Sequence, residues 1–308
     1  MQTFVYQKFK QAAEFLSAMR RILSFLILIN GTSLVAQDSN LTSYKKCWMC
    51  GTGLHASATP YSLTLKNEIP YIAIGLSISS IALTMDMYNP VQPYTANELL
   101  SLDKNRINSF DRSATDNWSP SANGISNVLI STATLLPIIF ITNRHTKSYL
   151  FPLIVMYGEV LLANYGVTMF TKNVVNRARP LTYNTEAPME KRTNSTSKES
   201  FFSGHTSHAT ASSIFVAKVL CDYHPNMNKG LKIGIWTAML TLPAVTAYLR
   251  VQAGKHFPTD VIVGYVVGGA IGYFIPHLHK LNARSTPKIS LIPIFGIDHT
   301  SLMMRVKL

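Results

Sequence analysis

The chain has 308 residues, of which 47% are hydrophobic and only 14% are charged. This balance disfavours a soluble domain with a charged surface and predicts an all-α, integral-membrane bundle of helices. The net charge of +13 favours anionic partners, which include nucleic acid, lipid headgroups and phosphorylated substrates. The apolar segments described below make the lipid bilayer and a phosphorylated membrane lipid the expected partners, and no nucleic-acid role is expected.

Residues 1–36 have the order of a secretory signal peptide. A basic region precedes the apolar run 22–29, and small residues lead to Ala36, the candidate cleavage site. The basic region is long, and a start at Met19 would give a more compact signal. An uncleaved membrane anchor is the alternative. Residues 37–67 are polar without a clear period and predict a loop segment.

Six apolar stretches follow, and most approach the roughly 20 residues that a helix needs to span a bilayer. They are 69–85, 125–142, 149–170, 206–220, 231–248 and 261–278. The first and fourth are short and rich in Ser, Thr and Ala, which favours close packing inside a bundle. On the sixth, the spacing of Gly264, Gly268, Gly269 and Gly272 predicts a packing face.

One six-helix domain is predicted for residues 68–280. Between its first two stretches lies a polar segment, 86–124, which is long enough to be a partly structured functional loop or a lid. The C-terminal tail, 281–308, alternates loosely and predicts either a short strand or an unstructured end. No function is assigned to the tail.

The first polar cluster follows the third stretch and contains Lys172, Arg179 and Pro180. Its two cations are seven residues apart, about two helical turns, so both are expected on one face at a helix end. An arginine fork can bind two phosphate oxygens, and a lysine adds a compact positive charge. Taken alone, the cluster is better interpreted as a basic anchor at the lipid headgroups.

The second cluster is Ser203-Gly204-His205, immediately before the fourth apolar stretch. This position places it at a helix N-terminus, where unpaired backbone N–H groups bind anions. Gly204 allows close approach of a ligand, and His205 titrates near neutrality, as a general acid requires. A helix cap at Ser203 and an interfacial histidine are an equally good interpretation of the cluster alone.

The third cluster joins the fifth stretch to the sixth and contains Arg250, His256 and Asp260. If the chain is helical there, the four-residue step lets the Asp260 carboxylate reach the imidazole. A carboxylate on one ring nitrogen leaves the other nitrogen free as a nucleophile. A structural cap beside Pro258 is the alternative.

The order of the stretches predicts that all three clusters lie at one face of the membrane. Lys172 follows the third stretch, His205 opens the fourth, and the Arg250 cluster follows the fifth, so alternating crossings return each to the same face. Ionisable groups near a membrane are costly to keep. Three such clusters at one face therefore favour a shared phosphate site over unrelated anchors.

These segments resemble the type 2 phosphatidic acid phosphatase (PAP2) family, whose motifs read K-x6-RP, PSGH and SR-x5-H-x3-D. Residues 172–260 match all three in order and spacing. Two flanking positions differ, since Phe202 stands where the family usually has Pro and Leu249 where it usually has Ser. The resemblance implies a PAP2/haloperoxidase-like helical core.

The resemblance also implies roles for the matched residues. His256 would attack phosphorus to form a phosphohistidine, Asp260 would orient it, and His205 would act as general acid and then as base. The phosphate would be held by Lys172, Arg179, Ser203, Gly204 and Arg250. No cofactor and no metal are expected, because three cations can stabilise the charge that Mg²⁺ stabilises in other phosphoryl-transfer enzymes.

The resulting hypothesis is a lipid phosphate phosphatase acting on a phosphomonoester or diphosphate. Phosphatidic acid, an isoprenoid diphosphate, phosphatidylglycerol phosphate and the phosphate of a lipid A are the candidate substrates. A vanadate-dependent haloperoxidase-like enzyme is a second hypothesis, although the membrane segments disfavour it. A catalytically silent protein that binds or transports a phospholipid is the third.

Basic residues in the loops opposite the site favour that side as cytoplasmic, and so predict a site facing the periplasm or exterior from a bacterial inner membrane. These residues are Arg144, Lys147, Lys229, Lys232, Lys280, Arg284 and Lys288. The site face is almost equally basic, however. A cleaved signal peptide followed by six crossings would turn the site inward, so either the N-terminal segment is not exported or the first stretch does not cross.

Overall fold

The computed structural model describes residues 59–63, 65–143, 146–280, 289–295 and 300–306. The predictions for residues 1–36 lie outside this part of the chain, as does most of segment 37–67. Within the described part, six long helices form one bundle. They are α1 (Leu65–Tyr88), α2 (Pro120–Leu135), α3 (Leu150–Val175), α4 (Gly204–Tyr223), α5 (Lys229–Gln252) and α6 (Pro258–Leu278).

Five stretches of the described chain are long and apolar enough to cross a membrane. They are Glu68–Tyr88, Pro120–Thr142, Leu150–Thr182, Lys229–Gln252 and Pro258–Leu278. Large apolar side chains such as Ile154, Val266 and Phe274 are exposed on their outer faces, where lipid would contact them. The prediction of an all-α, integral-membrane bundle is confirmed.

Helix α4 lies at the centre of the bundle and is not one of these five stretches. Its 20 residues are enough to cross a bilayer, but its first half is built largely of Ser, Thr and Ala. Most of its side chains from Thr206 to Cys221 are buried, and the Thr210 hydroxyl donates back to the Thr206 carbonyl oxygen at 2.7 Å. The prediction that the fourth stretch packs inside the bundle is therefore confirmed.

Helix α6 approaches α4 through a stripe of glycines. A Cβ atom on Gly264 would lie 2.6 Å from the Ser203 carbonyl oxygen, and Cβ atoms on Gly268 and Gly272 would overlap backbone carbonyls of α4 in the same way. Gly269 faces a side chain instead, at 3.3 Å. The glycine stripe is therefore a packing face, as its spacing predicts.

Contacts along the helices show which helix ends lie together. Helices α1 and α3 run parallel, because Ser79 lies against Gly166 and the Asn173 side-chain amide donates to the Ala82 carbonyl oxygen at 2.7 Å. The helices alternate in direction along the chain. The ends of α1, α3 and α5 and the starts of α2, α4 and α6 therefore meet at one end of the bundle, which we call the polar end.

The helices extend beyond the apolar stretches at the polar end. Lys172 lies in the last turn of α3, which ends where Asn176 adopts a left-handed conformation with φ 47°. Arg179 lies beyond this turn, so the expectation that it shares a helical face with Lys172 is wrong. Arg250 and Asp260 lie inside α5 and α6. Apolar composition marks only the lipid-facing part of a helix, whereas its backbone hydrogen bonds continue into polar turns.

The polar segment predicted for 86–124 contains short helices, and it ends earlier because α2 begins at Pro120. The Ser119 hydroxyl caps α2 by accepting from the Ala122 N–H at 3.2 Å.

Short helical elements lie in the connections throughout the described chain. The short α-helices are Ala96–Leu100, Ser109–Arg112, Ile139–Thr142 and Met189–Arg192. The 3-10 turns are Lys104–Arg106, Ser113–Asp116, Leu136–Ile138, Lys147–Tyr149, Pro180–Thr182 and Ser195–Lys198.

The C-terminal tail forms a two-stranded antiparallel sheet. Its strands are β1 (Ile289–Phe295) and β2 (Thr300–Val306), and Ile289 pairs with Val306. Of the two alternatives predicted for the tail, a short strand or an unstructured end, the structure therefore shows strands. The sheet lies outside the helical domain predicted for 68–280.

We expect Gly268→Ala to destabilise the bundle, because its methyl group would overlap the Ser207 carbonyl oxygen and push α6 away from α4. Overpacking of this kind costs about 1–3 kcal/mol, which corresponds to a fall in Tm of roughly 3–10 °C. Thermal unfolding in detergent measures the change. Gly234→Ala on α5 is the control, because a Cβ there would meet nothing within 4 Å. Equal Tm values for the two variants would contradict the packing role of the stripe.

Candidate active site

The three polar clusters come together at the polar end. The Ser203 N–H donates to the Asp260 carbonyl oxygen at 3.0 Å, which joins the start of α4 to the start of α6. The Lys172 ammonium lies beside Gly204, 3.8 Å from the point where a Cβ on that glycine would stand. One site therefore contains residues from every predicted cluster.

His256 is the buried centre of this site, with 1% of its surface exposed. Its Nδ1 lies 2.7 Å from the Ser200 carbonyl oxygen, which can only accept, so Nδ1 carries a proton. Burial and the positive charges of Arg179, Arg250 and Lys172 hold the pKa of His256 well below its usual value. The ring is therefore neutral at neutral pH, and its Nε2 has the lone pair that a nucleophile needs.

Asp260 does not hold His256 in the way that the sequence spacing predicts. Helix α6 begins at Pro258, so His256 lies before the helix, and its Nδ1 is 3.9 Å from the nearest Asp260 oxygen. That distance is too long for a hydrogen bond. The carboxylate instead accepts from the Ser200 hydroxyl at 2.5 Å and from the Phe257 N–H at 2.9 Å. Asp260 therefore positions the imidazole indirectly. It holds Ser200, whose carbonyl oxygen contacts the ring, and Phe257, which follows the histidine in the chain.

Arg177 lies outside the predicted set of site residues, yet it bridges two buried carboxylates. It donates to Asp260 at 2.5 Å and to Asp111 at 2.7 Å. The Thr259 hydroxyl donates to Asp111 at 2.6 Å and the Thr259 N–H at 3.0 Å. Burial alone would raise the pKa of Asp111, but hydrogen bonds from Thr259, Arg177 and Asn108 outweigh it and hold the pKa below its usual value. The ionised Asp111 thus ties the segment before α2 to the start of α6.

Two predicted arginines present buried guanidinium groups to the site. Arg179 is 8% exposed and Arg250 is 3% exposed. Arg250 donates to the Asn123 side-chain oxygen at 2.9 Å. The Nε group of each arginine, however, is buried without a hydrogen-bond partner among the described residues. A buried N–H without an acceptor is costly, so this arrangement suits an anion whose oxygens accept from both groups.

Ser203 caps α4, as the alternative interpretation of the second cluster expects. Its hydroxyl accepts from the Thr206 N–H at 3.4 Å and lies 3.0 Å from the Thr206 hydroxyl. Gly204 follows as the first residue of the helix, with Lys172 close to the side where a side chain would project. The missing side chain keeps the helix N-terminus open toward the lysine.

His205 faces α2 from the first turn of α4. Its Nε2 donates to the Asn127 side-chain oxygen at 3.0 Å. Asn127 and Asn123, four residues apart on α2, therefore hold His205 and Arg250 respectively. This polar face of α2 is absent from the predicted site, although two asparagines at helical spacing near a helix start are a visible signal.

The short connection between α5 and α6 carries His256 and is fixed from two sides. Gly254 adopts φ 65°, and a Cβ there would overlap the Asn117 carbonyl oxygen. The Gly254 carbonyl accepts from the Leu181 N–H at 2.9 Å, and the Asn117 side chain donates to the Val251 carbonyl oxygen at 3.1 Å. Segments preceding α2 and following α3 therefore hold the histidine connection in place.

The charges around His256 suit an anion better than a metal ion, because the three basic side chains that lower its pKa surround it with positive charge. Within the described part of the chain, the one group of side chains with metal-ligand spacing is Glu68, Glu159 and His279. These residues lie toward the other end of the bundle. The described residues of the candidate site do not themselves form a metal-ligand set.

A comparison with protein families identifies the domain that contains this site. The model of the PAP2 superfamily matches residues 153–284, which include all eight predicted site residues. Residues 153–284 belong to the PAP2 superfamily. The resemblance expected from the three motifs is therefore confirmed.

Two individual proteins that are similar to this chain are known by function or structure. A lipid A 4'-phosphatase from Porphyromonas gingivalis is 33% identical over 88 residues, which cover 29% of this chain and 33% of the relative. The matched region thus spans about a third of the length of that relative. A transmembrane PAP2-type phosphatidylglycerolphosphate phosphatase from Bacillus subtilis matches with a TM-score of 0.41 and 20% identity, over 68% of this chain and 94% of that chain.

We expect Arg177→Met to destabilise the polar end, because it leaves the buried carboxylates of Asp111 and Asp260 without their shared cation. Breaking a buried ion pair from one side costs about 3 kcal/mol or more. Thermal unfolding of the purified protein measures the loss. Lys104→Met is the matched control, since the pair of Lys104 with Asp116 is exposed and contributes little. A Tm for Arg177→Met equal to that of the control would show that the bridge is not structural.

Proposed function

We propose that this protein is a metal-independent phosphatase that hydrolyses a phosphate ester of a membrane lipid. The observation that carries the proposal is the pair of buried arginines, Arg179 and Arg250, near the neutral His256. Their Nε groups have no hydrogen-bond partner among the described residues. Phosphoryl transfer depends mainly on positioning and on stabilising charge around phosphorus. Two guanidinium groups and a neutral imidazole meet both requirements, and the PAP2 match supports the same chemistry.

In the first step, Nε2 of His256 attacks phosphorus and forms an N–P bond while the bond from phosphorus to the lipid oxygen breaks. The Nδ1–H contact with the Ser200 carbonyl oxygen stabilises the positive charge that develops on the ring. Burial and the nearby cations Arg250, Lys172 and Arg179 lower the pKa of His205 to about 3. The negative charge of a bound substrate phosphate opposes these cations and favours the protonated ring. Protonated His205 then gives its proton to the leaving oxygen as general acid. The dephosphorylated lipid leaves, and a phosphohistidine remains.

In the second step, water attacks the phosphohistidine. Neutral His205 accepts the proton of the water as general base. The N–P bond breaks, its electron pair returns to Nε2 of His256, and inorganic phosphate is released. Each residue then has its starting protonation state.

The remaining site residues would hold the phosphate during both steps. Lys172, Arg179 and Arg250 would neutralise the three equatorial oxygens. The Gly204 N–H at the start of α4 would add a backbone donor. Ser203 would contribute mainly by capping that helix, which keeps its first N–H groups directed at the site.

A lipid substrate follows from the position of the site and from one relative. The site lies at the end of helices that can cross a membrane, where lipid headgroups are found. A lipid phosphate could reach the arginines while its acyl chains stay in the bilayer. The lipid A 4'-phosphatase from Porphyromonas gingivalis makes lipid A the first substrate to test. Phosphatidic acid, phosphatidylglycerol phosphate and an isoprenoid diphosphate complete the candidate set.

We expect His256→Ala to abolish phosphate release, because no other group can supply the nucleophile at that position. The loss should exceed about 10³-fold, as removal of a catalytic nucleophile usually does. Phosphate release from the four lipids is measured with purified protein after brief exposure to EDTA. His277→Ala is the matched control, because His277 is an exposed histidine at the far end of α6.

The wild type and His277→Ala should release phosphate at equal rates in EDTA. Equal release by the wild type and His256→Ala, or no release by any protein on any of the four lipids, would contradict the proposed activity. Activity that EDTA removes and magnesium restores would contradict the metal-independent mechanism alone.

We also propose that the polar end faces the periplasm or exterior. Lys229, Lys232 and Lys280 lie at the opposite end, and basic residues there favour a cytoplasmic location. Tyr61 pairs with Lys280, so the chain before α1 also starts at that end. Because α1 is long and apolar enough to cross, an outward site requires that residues preceding Tyr61 remain unexported.

Cysteine labelling tests this orientation. In a chain whose three cysteines are replaced by alanine, we expect Glu190→Cys at the polar end to react with a membrane-impermeant maleimide in intact cells. Asn226→Cys, in the connection between α4 and α5, should react only after the cells are opened. The reverse pattern would show that the site faces the cytoplasm.

A further inference from the structure

Three buried ionisable side chains meet near the end of the bundle opposite the phosphatase site. Glu68 lies in the first turn of α1, Glu159 lies inside α3, and His279 directly follows α6. They are 7%, 6% and 4% exposed, respectively. Nε2 of His279 is 3.0 Å from Glu68 and 3.2 Å from Glu159. None of these residues has a part in the proposed phosphatase mechanism.

The hydrogen bond on the other side of the His279 ring determines what Nε2 presents to the carboxylates. Nδ1 lies 2.7 Å from the Ile275 carbonyl oxygen, which can only accept, so Nδ1 carries a proton. In the neutral ring, Nε2 then directs a lone pair toward two carboxylates. Such an arrangement needs either a second ring proton, donated from Nε2 to Glu68 at 3.0 Å, or a metal cation between these groups. A histidine that donates one ring N–H to a backbone carbonyl is also the usual form of a metal ligand.

The Glu159 side chain independently indicates a cation at this cluster. Both of its carboxylate oxygens are buried without a hydrogen-bond partner among the described residues. One of them nevertheless lies 3.2 Å from Nε2 of His279, so the carboxylate is aimed into the cluster. An ionised carboxylate buried inside a membrane bundle is costly unless a positive charge compensates it.

The spacing of the three groups matches a metal site. Their ligand atoms all lie within 4.8 Å of one another. Four-coordinate zinc has bonds of about 2.0–2.1 Å, which places neighbouring ligand atoms about 3.3 Å apart. The observed separations of 3.0 and 3.2 Å from Nε2 are close to this value. The cluster therefore needs little rearrangement to close around an ion.

Charge and donor type indicate which cation fits. Two carboxylates carry two negative charges, which one divalent ion neutralises while the imidazole stays neutral. A protonated His279 would compensate only one of them and would leave a net charge buried. Mg²⁺ and Ca²⁺ prefer oxygen ligands only, whereas Zn²⁺ accepts imidazole nitrogen together with carboxylate oxygen.

The geometry points to a structural divalent-cation site of the zinc type, formed by Glu68, Glu159 and His279. Its ligands come from α1, α3 and the residue after α6, so a bound ion joins the start of α1 to α3 and to the end of α6. A water molecule completes four-coordination. The site is separate from the phosphatase chemistry and does not depend on it.

Metal content of the detergent-solubilised full chain tests the site. The protein carries no affinity tag and has Cys47 and Cys50 replaced by alanine, so that thiols add no zinc. After equilibration with Zn²⁺ and removal of excess ion, we expect about one zinc per chain for this protein and for Glu186→Gln, a control with a glutamate remote from the cluster. Glu159→Gln should retain almost none. Equal zinc in both glutamate variants, or almost none in any protein, would overturn the proposal.

Thermal unfolding of the unsubstituted chain gives a second measurement that does not require a folded variant. Removing metal with EDTA should lower Tm, and adding Zn²⁺ should restore it by about 5 °C or more, because an ion that binds only the folded state stabilises it. Mg²⁺ should not restore it. A Tm that neither EDTA nor Zn²⁺ changes would show that the cluster shares a proton instead, and would overturn the site even if Glu159→Gln fails to fold.

Discussion

The close approach of α4 and α6 is the constraint on which the candidate active site depends. Gly264 allows the backbone of α6 to reach the Ser203 carbonyl oxygen, and the adjacent Ser203 N–H donates to the Asp260 carbonyl oxygen. The second and third motifs are thereby joined through backbone atoms. Lys172 then meets Gly204 at the same helix start. A site assembled on backbone contacts between packed helices is held more rigidly than one built on loops.

The buried charged side chains at the polar end are of two kinds. Some form ion pairs with one another, and others have no partner among the described residues. Arg177 neutralises Asp111 and Asp260 and so fixes the frame around the histidine connection. At the same end, the Nε groups of Arg179 and Arg250 have no partner within the part of the chain that the structure describes. Unpaired charge is costly inside a membrane protein. The ion pairs of Arg177 therefore stabilise the fold, whereas Arg179 and Arg250 are suited to binding an anionic ligand. Among the described residues, buried charged groups without a hydrogen-bond partner occur toward both ends of the bundle. At each end their charge is opposite in sign to that of the ligand proposed there.

The predictions from sequence succeeded for properties that repeat along one helix and failed where a helix boundary decided the contact. Alternating apolar stretches correctly indicated that the motifs meet at one end. The shared helical face of Lys172 and Arg179 was wrong, because Asn176 ends α3 between them. The direct contact of His256 with Asp260 was wrong, because α6 begins only after the histidine. In both cases the turns at the helix end are polar. The spacing of apolar residues therefore does not show where the helix ends or begins.

The amino-acid sequence by itself determined the helical membrane bundle, the glycine packing face and the chemical identity of the candidate-site groups, because each is expressed in composition or in spacing within a few turns. Tertiary structure alone decided which partners those groups have. The Ser200 carbonyl that fixes the His256 tautomer and the junction of Glu68, Glu159 and His279 join residues far apart in the chain. Spacing along one element says nothing about such pairs, since they depend on which faces of different helices come together when the bundle packs.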